Sequence, residues 1–283
     1  MLAETIKQLG DANEARWLCE HASGLDGEEF RQSQHECVTT AMAKQLHDMV
    51  RRRLDGEPLQ YVMKRWAFRH LDVHVDQRVL IPRPETELLV DVGLAIASER
   101  LKQVDRPLNI VDLGTGSGVI GLSMAYELPL GKTNVWLTDQ SNDALDVARG
   151  NLVGVGQKGG GVRLALGSWW NALDGSLKGA IDIALCNPPY IAHDDDEVAT
   201  DVHKWEPHSA LYAGENGLAD IREVISGATT WLANNGWLAL EIGYRQGDEA
   251  RALLENAGLV HVDIRRDLAG RDRIALAQRQ TAS

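Results

Sequence analysis

The chain is poor in the features that would point to a secreted, metal-stapled or membrane protein. It has three cysteines, Cys19, Cys37 and Cys186, and these form no CxxC pair and no metal-ligand spacing. That excludes a disulfide framework and leads us to expect reduced thiols in a cytoplasmic protein. The nine histidines, His203 and His208 among them, also lack ligand spacing, so no metal is expected. No apolar run approaches the roughly 20 residues that cross a bilayer. The first residues, Met1 to Lys7, carry charges where a signal peptide would need an apolar core. A membrane partner is therefore not expected. Internal repeats and low-complexity tracts are also missing.

Positive charge is scarce as well. The formal net charge is −12, with 29 Lys and Arg against 41 Asp and Glu. Residues 1–75 hold 10 basic against 12 acidic side chains, and residues 76–283 hold 19 against 29. Binding to nucleic acid draws on cationic side chains that displace counterions. The acidic half therefore argues against duplex DNA or RNA as a direct substrate and suits a protein or a small molecule. With 44% apolar residues over 283 positions, the chain can build a sizeable core in one large or two ordinary domains.

The most informative stretch that is present is Asn187-Pro188-Pro189-Tyr190. It follows an apolar run, residues 181–186, with the pattern of a buried strand. Prolines stop the sheet and stiffen the strand exit, and ligands of open α/β sheets sit at the carboxyl ends of strands. An asparagine amide, a proline carbonyl and a tyrosine ring suit a planar, neutral NH2 group, which has two hydrogens to donate and a plane to be held. Cys186, just before the turn, is expected to be a buried strand-end thiol.

Helical spacing dominates residues 1 to about 55, as in Leu2, Ile6 and Leu9 or Met42, Leu46, Met49 and Val50. Residues 1–75 are expected to form an N-terminal helical domain for substrate recognition, and residues 76–283 the linker and catalytic domain. Arg51-Arg52-Arg53 suits a helix C-terminus or a docking patch. Val73, Val75, Val79 and Ile81 predict a short hairpin within residues 58–82. Pro84 followed by acids predicts a helix start. From Leu108 onward strands and helices alternate, which implies a mostly parallel sheet with helices on both faces. The acidic run at residues 194–197 is expected to be a solvated loop.

Gly114-Thr115-Gly116-Ser117-Gly118 lies between the first of these strands and its helix, where glycine permits tight turning and close ligand approach. Gly116, Gly118 and Gly121 also satisfy GxGxxG, so a nicotinamide cofactor has to be weighed. Asp139 ends the next strand, placed for ribose hydroxyls, with helix capping as the alternative. Asp112, just before the loop, is expected to carry negative charge towards the ligand, which suits an amino group or sulfonium better than a pyrophosphate. Ser168, Trp169 and Trp170 follow the third strand, and one of these rings can stack on an adenine. Together these features favour S-adenosylmethionine over NAD.

The motifs then become specific. Residues 56–61 (GEPLQY), 79–87 (VLIPRPETE), 112–118 (DLGTGSG), 187–190 (NPPY), 205–207 (WEP), 241–243 (EIG) and 267–273 (DLAGRDR) resemble the bacterial release-factor glutamine methyltransferase family (HemK/PrmC) over nearly the whole length. The 82–87 segment distinguishes it from the related ribosomal-protein enzymes. The resemblance implies a seven-stranded Rossmann-like class I S-adenosylmethionine-dependent domain, an N-terminal helical domain and a hairpin linker. It implies methyl transfer to the side-chain nitrogen (N5) of the glutamine in the Gly-Gly-Gln tip of class 1 peptide chain release factors. By match, residues 114–118, Asp139, Trp169 and Asn187 would meet the cofactor, and residues 187–190 would hold the glutamine. Glu85 and Thr86 are expected to wall the glutamine pocket or to cap the helix. Lys64 and Ala67 depart from the family pattern, as does Ser168, which stands where an aspartate is usual. A nucleic-acid amine methyltransferase, another protein-glutamine methyltransferase and a binding protein without turnover remain the alternatives.

Overall fold

The computed structural model describes residues 1–25, 27–33, 35–192 and 204–280. The acidic run at 194–197 and His203 lie outside them. Two compact units emerge: one from residues 1–66 with Lys204 and Trp205, the other from residues 67–192 and 206–280.

The first unit is helical: α1 (Leu2–Leu9), α2 (Ala12–Ser23), α3 (Gly27–Gln32), α4 (Thr40–Leu54) and α5 (Leu59–Met63). Asp11 caps α2 by accepting from Asn13 N and Glu14 N, and Thr39 caps α4 through Met42 N. Their apolar faces meet in a core of Leu18, Cys19, Phe30, Leu46, Met49, Val50, Leu59 and Val62. The arginine triplet at the end of α4 divides its work. Arg53 pairs with Glu14 at 2.8 Å, and Arg52 pairs with Glu57 while donating to the carbonyls of Tyr61 and Val62. Arg51 is exposed. Two of the three thus close this unit rather than forming an open patch.

The hairpin is shorter than its sequence pattern suggests. β1 (Trp66–Phe68) and β2 (Leu71–Val73) pair alone. Val75, Val79 and Ile81 are buried without belonging to a strand, so their alternation reports burial and not pairing. Arg69 ties the hairpin down, pairing with Glu127 at 2.6 Å and Asp91 at 2.7 Å.

The second unit is a seven-stranded sheet in the order β5-β4-β3-β6-β7-β9-β8. Its strands are β3 (Leu108–Leu113), β4 (Thr133–Asp139), β5 (Val162–Leu166), β6 (Ile181–Cys186), β7 (Leu232–Glu241), β8 (Leu259–Arg266) and β9 (Asp272–Arg279). β3 to β7 run parallel, and β9 lies antiparallel to both β7 and β8. Helices α6 (Thr86–Gln103), α7 (Val119–Glu127) and α8 (Asn142–Val155) pack with it, as do helices Ala219–Trp231 and Gly247–Asn256. β6 is buried at every position, as a central parallel strand must be. β7 begins at Leu232, earlier than its apolar run implies, through an irregular stretch in which Asn235 has φ 58°.

Chain order reverses between β3 and β6: β4 and β5 continue to one side, β7 to the other. A crevice opens at such a switch point outside the carboxyl ends of the strands. The glycine loop leaves β3 and the Asn-Pro-Pro-Tyr turn leaves β6, so topology brings the two strongest motifs to the same edge.

Candidate active site

A cavity of about 340 Å³ lies at this edge, lined among others by Thr86, Gly114, Thr115, Gly116, Ser117, Asp139, Ser168, Trp169, Asn187 and Pro189. That is within the roughly 300–1,000 Å³ of small-ligand sites. Glu85, Asp112, Gly118, Pro188 and Tyr190 do not line it.

The glycine loop is held from below. Thr115 N donates to Thr138 O at 2.8 Å and Gly116 N to Asp139 Oδ2 at 2.9 Å. Asn151 of α8 donates to Ser117 O at 2.8 Å and to His74 O at 3.0 Å, clipping the linker to the loop. Gly114 has φ 72°, and a Cβ there would sit 3.0 Å from the Trp169 ring. Glycine is thus needed both for the left-handed backbone and for the close approach of that ring.

Asp112 corrects an expectation. Its side chain does not face the ligand space. It is fully buried under the loop, and its Oδ2 accepts from Thr115 Oγ1 at 2.5 Å and from Gly121 N at 2.9 Å. A Cβ on Gly121 would lie 3.1 Å from Asp112 Cβ and 2.2 Å from Leu137 Cδ2. The helix therefore packs directly on the strand, and Asp112 braces the turn. Burial pushes its carboxyl up to about 6. Because the folded value exceeds the unfolded one, the native state binds the extra proton between 3.8 and about 6, and stability from this group is lost as pH rises through that window. Asp112→Asn keeps one oxygen for Thr115 and Gly121 but cannot titrate. In denaturant melts, stability relative to wild type should therefore rise across the window and level off above it. A difference that stays constant with pH would contradict this environment.

Asp139 is held by the backbone, accepting from Ser141 N at 2.9 Å as well as from Gly116 N. Burial raises its carboxyl above the ordinary range. The α8 cap belongs to Ser141, which accepts from Ala144 N, so Asp139 is free of that duty and faces the cavity. Trp169 adopts φ 45°, a strain of about 1–3 kcal/mol that the surroundings must offset. Its ring packs against Gly114, and its indole hydrogen-bonds Asp220. Trp170 points the other way. It is buried, donates to Val224 O at 2.8 Å and stacks on Trp231 at 6.1 Å. Trp170 thus belongs to the core and Trp169 to the site.

The turn after β6 is gripped from several sides. Asn187 Nδ2 donates to Thr86 Oγ1 at 3.3 Å, Thr86 Oγ1 donates to Glu241 Oε2 at 2.8 Å, and Tyr190 OH donates to Glu241 Oε1 at 3.3 Å. Burial and the Glu241 carboxylate push the Tyr190 phenol well above its usual range. Burial likewise raises the Glu241 carboxyl. Gln246 Nε2 donates to Tyr190 O at 3.1 Å, and its Oε1 accepts from Gly243 N at 2.9 Å. Pro188 is buried beneath the turn. Cys186 is buried and its thiol is pushed well above its normal value by desolvation, which fits an inert strand-end residue.

Glu85 takes neither of the roles expected of it. It is exposed, does not line the cavity and makes no side-chain cap on α6. Thr86 does line the cavity, through a hydroxyl tied to Glu241. Glu206 braces the chain before α6: its buried carboxylate accepts from Ile81 N at 3.2 Å and Arg83 Nη2 at 2.5 Å. On sequence grounds Glu206-Pro207 is expected to brace the loop after the turn, whereas Glu206 is bound to Ile81 and Arg83 ahead of α6. Sequence reasoning missed Glu241 and Gln246 as parts of the site: Glu241 shows only as a charge closing an apolar strand within the 241–243 motif, and Gln246 carries no signal. Among the described residues no group of three or more His, Cys, Asp and Glu could hold a metal ion, and no helix is long and apolar enough to cross a membrane.

A glycine loop after β3, an acid ending β4 and an asparagine turn after β6, on a seven-stranded sheet with an antiparallel β9, define a class I S-adenosylmethionine-dependent methyltransferase. The fold is similar to that of a methyltransferase from Pyrococcus furiosus (17% identity, TM-score 0.52, covering 83% of this chain and 99% of that one). It is also similar to the N-terminal domain of human METTL16, solved in complex with SAH (15% identity, TM-score 0.54, covering 85% and 83%). Residues 1–63 match the PrmC N-terminal domain, and residues 87–205 the methyltransferase small domain. The release factor glutamine methyltransferase of Burkholderia pseudomallei is 38% identical over 93% of this chain and 90% of its own length. That of Salmonella typhimurium is 34% identical over 96% and 95%. The chain belongs to the release factor glutamine methyltransferase family.

Proposed function

We propose that the protein methylates the side-chain nitrogen of the glutamine in the Gly-Gly-Gln tip of class 1 release factors, in the cytoplasm. The observation that carries this is the shared cavity, in which Asn187 and Pro189 form one wall and the glycine loop and Asp139 another. The residues present fit S-adenosylmethionine. Asp139 offers carboxylate oxygens for a ribose. The backbone of Gly114 to Ser117 allows close approach, the Trp169 face suits an adenine, and Ser168 offers a hydroxyl where the family pattern has an aspartate. When bound, S-adenosylmethionine supplies a methyl group already activated on a sulfonium.

What remains for the protein is to present a poor nucleophile. An amide nitrogen gives its lone pair to the carbonyl, and the turn contains no strong base. The Asn187 side-chain oxygen, at the cavity wall, would accept an N–H bond from the substrate amide, fixing the nitrogen and favouring the positive charge that develops on it. Tyr190 braces this corner through Glu241. Positioning of this kind converts an encounter into an oriented reaction. The helical unit is suited to contacts with the release factor, since one glutamine offers little binding area.

Mass spectrometry of the tip peptide, after incubating full-length release factor with the enzyme and methyl donor, tests the assignment. One methyl gained on the glutamine is the expected result, with RNA and DNA run in parallel. Label in nucleic acid and none in the release factor would end it. Trp169→Ala tests the cofactor wall: calorimetry should show donor affinity weakened about tenfold, the lower end of what one base–aromatic stack contributes. Unchanged affinity would remove Trp169 from the site.

A further inference from the structure

We infer that Thr86 and Glu241 are positioning residues that decide which way round the Asn187 carboxamide faces the cavity. The inference deepens the function proposed above and rests on Asn187 being the acceptor for the substrate amide.

It follows from counting donors and acceptors along a buried line. An ionised carboxylate only accepts hydrogen bonds, and a threonine hydroxyl has a single proton. Thr86 Oγ1 is 2.8 Å from Glu241 Oε2, so its proton goes there. Towards Asn187 the hydroxyl can then only accept. The end of the Asn187 amide lying 3.3 Å from it must be the NH2 group. Oδ1 is left as the end offered to the cavity that Asn187 lines. The opposite orientation would set Oδ1 against a hydroxyl lone pair and aim two donors at a substrate group that is itself a donor.

Burial raises the Glu241 carboxyl, and three neighbours act against it to hold the ionised form. Thr86 donates to one oxygen at 2.8 Å, Tyr190 OH donates to the other at 3.3 Å, and the positive charge of Arg273 on β9 acts on the carboxylate; Glu85 is the opposing negative charge. Glu241 is fully buried, and Thr86 nearly so. A carboxylate is costly in such a place unless its partners satisfy it. A glutamine of the same shape could turn either end towards Thr86 and would leave the line without a direction. The three residues are 155 and 101 positions apart in the chain and come from α6, β7 and the turn after β6, so the arrangement is tertiary and not a helix cap.

The test uses the full-length protein with Thr86→Val, which keeps the shape and removes the hydroxyl, Thr86→Ser, which restores it, and Glu241→Gln. The direct readout is the Asn187 side-chain NH2 resonance in 15N-labelled protein, assigned by its absence in Asn187→Ala. Wild type and Thr86→Ser should show one NH2 signal protected from exchange; Thr86→Val should shift it and remove the protection. Glu241→Gln should broaden or double it. With release factor as substrate, kcat in Thr86→Val should fall about tenfold, as for one lost hydrogen bond, with donor affinity by calorimetry unchanged. An Asn187 resonance identical in wild type, Thr86→Val and Glu241→Gln would overturn the inference. A kcat loss that merely follows a lowered melting temperature, with that resonance unmoved, would do the same. Should Thr86→Val not fold, the Glu241→Gln resonance decides alone. A wild-type protein that methylates no release factor would refute the proposed function and leave the resonance test of the orientation intact.

Discussion

Asn187→Ala should bind S-adenosylmethionine with near wild-type affinity and lose methyl transfer by roughly 100-fold or more in kcat, about 3 kcal/mol, comparable to removing one oxyanion-hole donor. The expectation follows from what the side chain touches. Asn187 lines the cavity but makes its one described side-chain hydrogen bond with Thr86. Thr86 keeps its bond to Glu241 when the amide is gone, so no buried charge is stranded. The donor-side residues, the glycine loop, Asp139 and Trp169, are held by Thr138, Ser141 and Asp220 and do not lean on Asn187. Calorimetry with the donor and single-turnover methylation of release factor separate the two effects. Asn187→Asp sharpens the comparison: it keeps the shape and an acceptor oxygen but has no N–H to give Thr86, and should also lose most turnover. Wild-type kcat in Asn187→Ala would detach this corner from the chemistry.

Much of this geometry is legible in the sequence, and the limits are physical. β6 was legible because five apolar residues, interrupted once by Asp182, end one residue before two prolines; all six positions are buried, Asp182 through its pairs with Arg100 and Arg106. The glycine loop was legible because glycine has few other reasons to recur at alternate positions after a strand, and Gly114, Gly116 and Gly118 all take positive φ. Asp112 was misread because spacing alone does not say which face a strand residue occupies; its carboxylate went to Thr115 and Gly121. The hairpin was overextended because Val75, Val79 and Ile81 alternate against the core without a pairing strand. Glu241 was hidden for a different reason. A single acid closing an apolar strand has no periodic signal, and its meaning depends on Thr86 and Tyr190, brought to it only by folding. Local motifs carry the ligand-facing backbone, whereas the polar braces behind them are long-range.

Those braces make the second large effect predictable at a residue that never touches the cavity. Gly217→Ala should unsettle the corner from behind. Gly217 has φ 83°, and a Cβ there would lie 2.2 Å from Tyr190 O, 2.8 Å from Tyr190 C and 2.8 Å from Gln246 Nε2. Two of these three atoms are backbone of the Asn-Pro-Pro-Tyr turn and cannot swing aside as a side-chain tip would. A left-handed alanine costs about 1 kcal/mol by itself, and forcing atoms into a packed site adds about 1–3 kcal/mol. The chain can relieve the clash only by moving Tyr190 or displacing Gln246, whose Nε2 also holds Gly217 O at 3.3 Å. Either route shifts the turn, and misplacement of about 1 Å at a reacting group can cost on the order of 100-fold in rate. Gly217→Ala should therefore lower Tm by about 5–10 °C and reduce kcat by more than tenfold while donor affinity changes little. Gly214→Ala is the control from the same segment: its Cβ would meet only Ala219 Cβ, at 3.8 Å, with no left-handed backbone, and both Tm and kcat should stay near wild type. If Gly217→Ala kept full turnover, the corner would not be held from this side, and the Gln246 clamp would be a matter of stability alone.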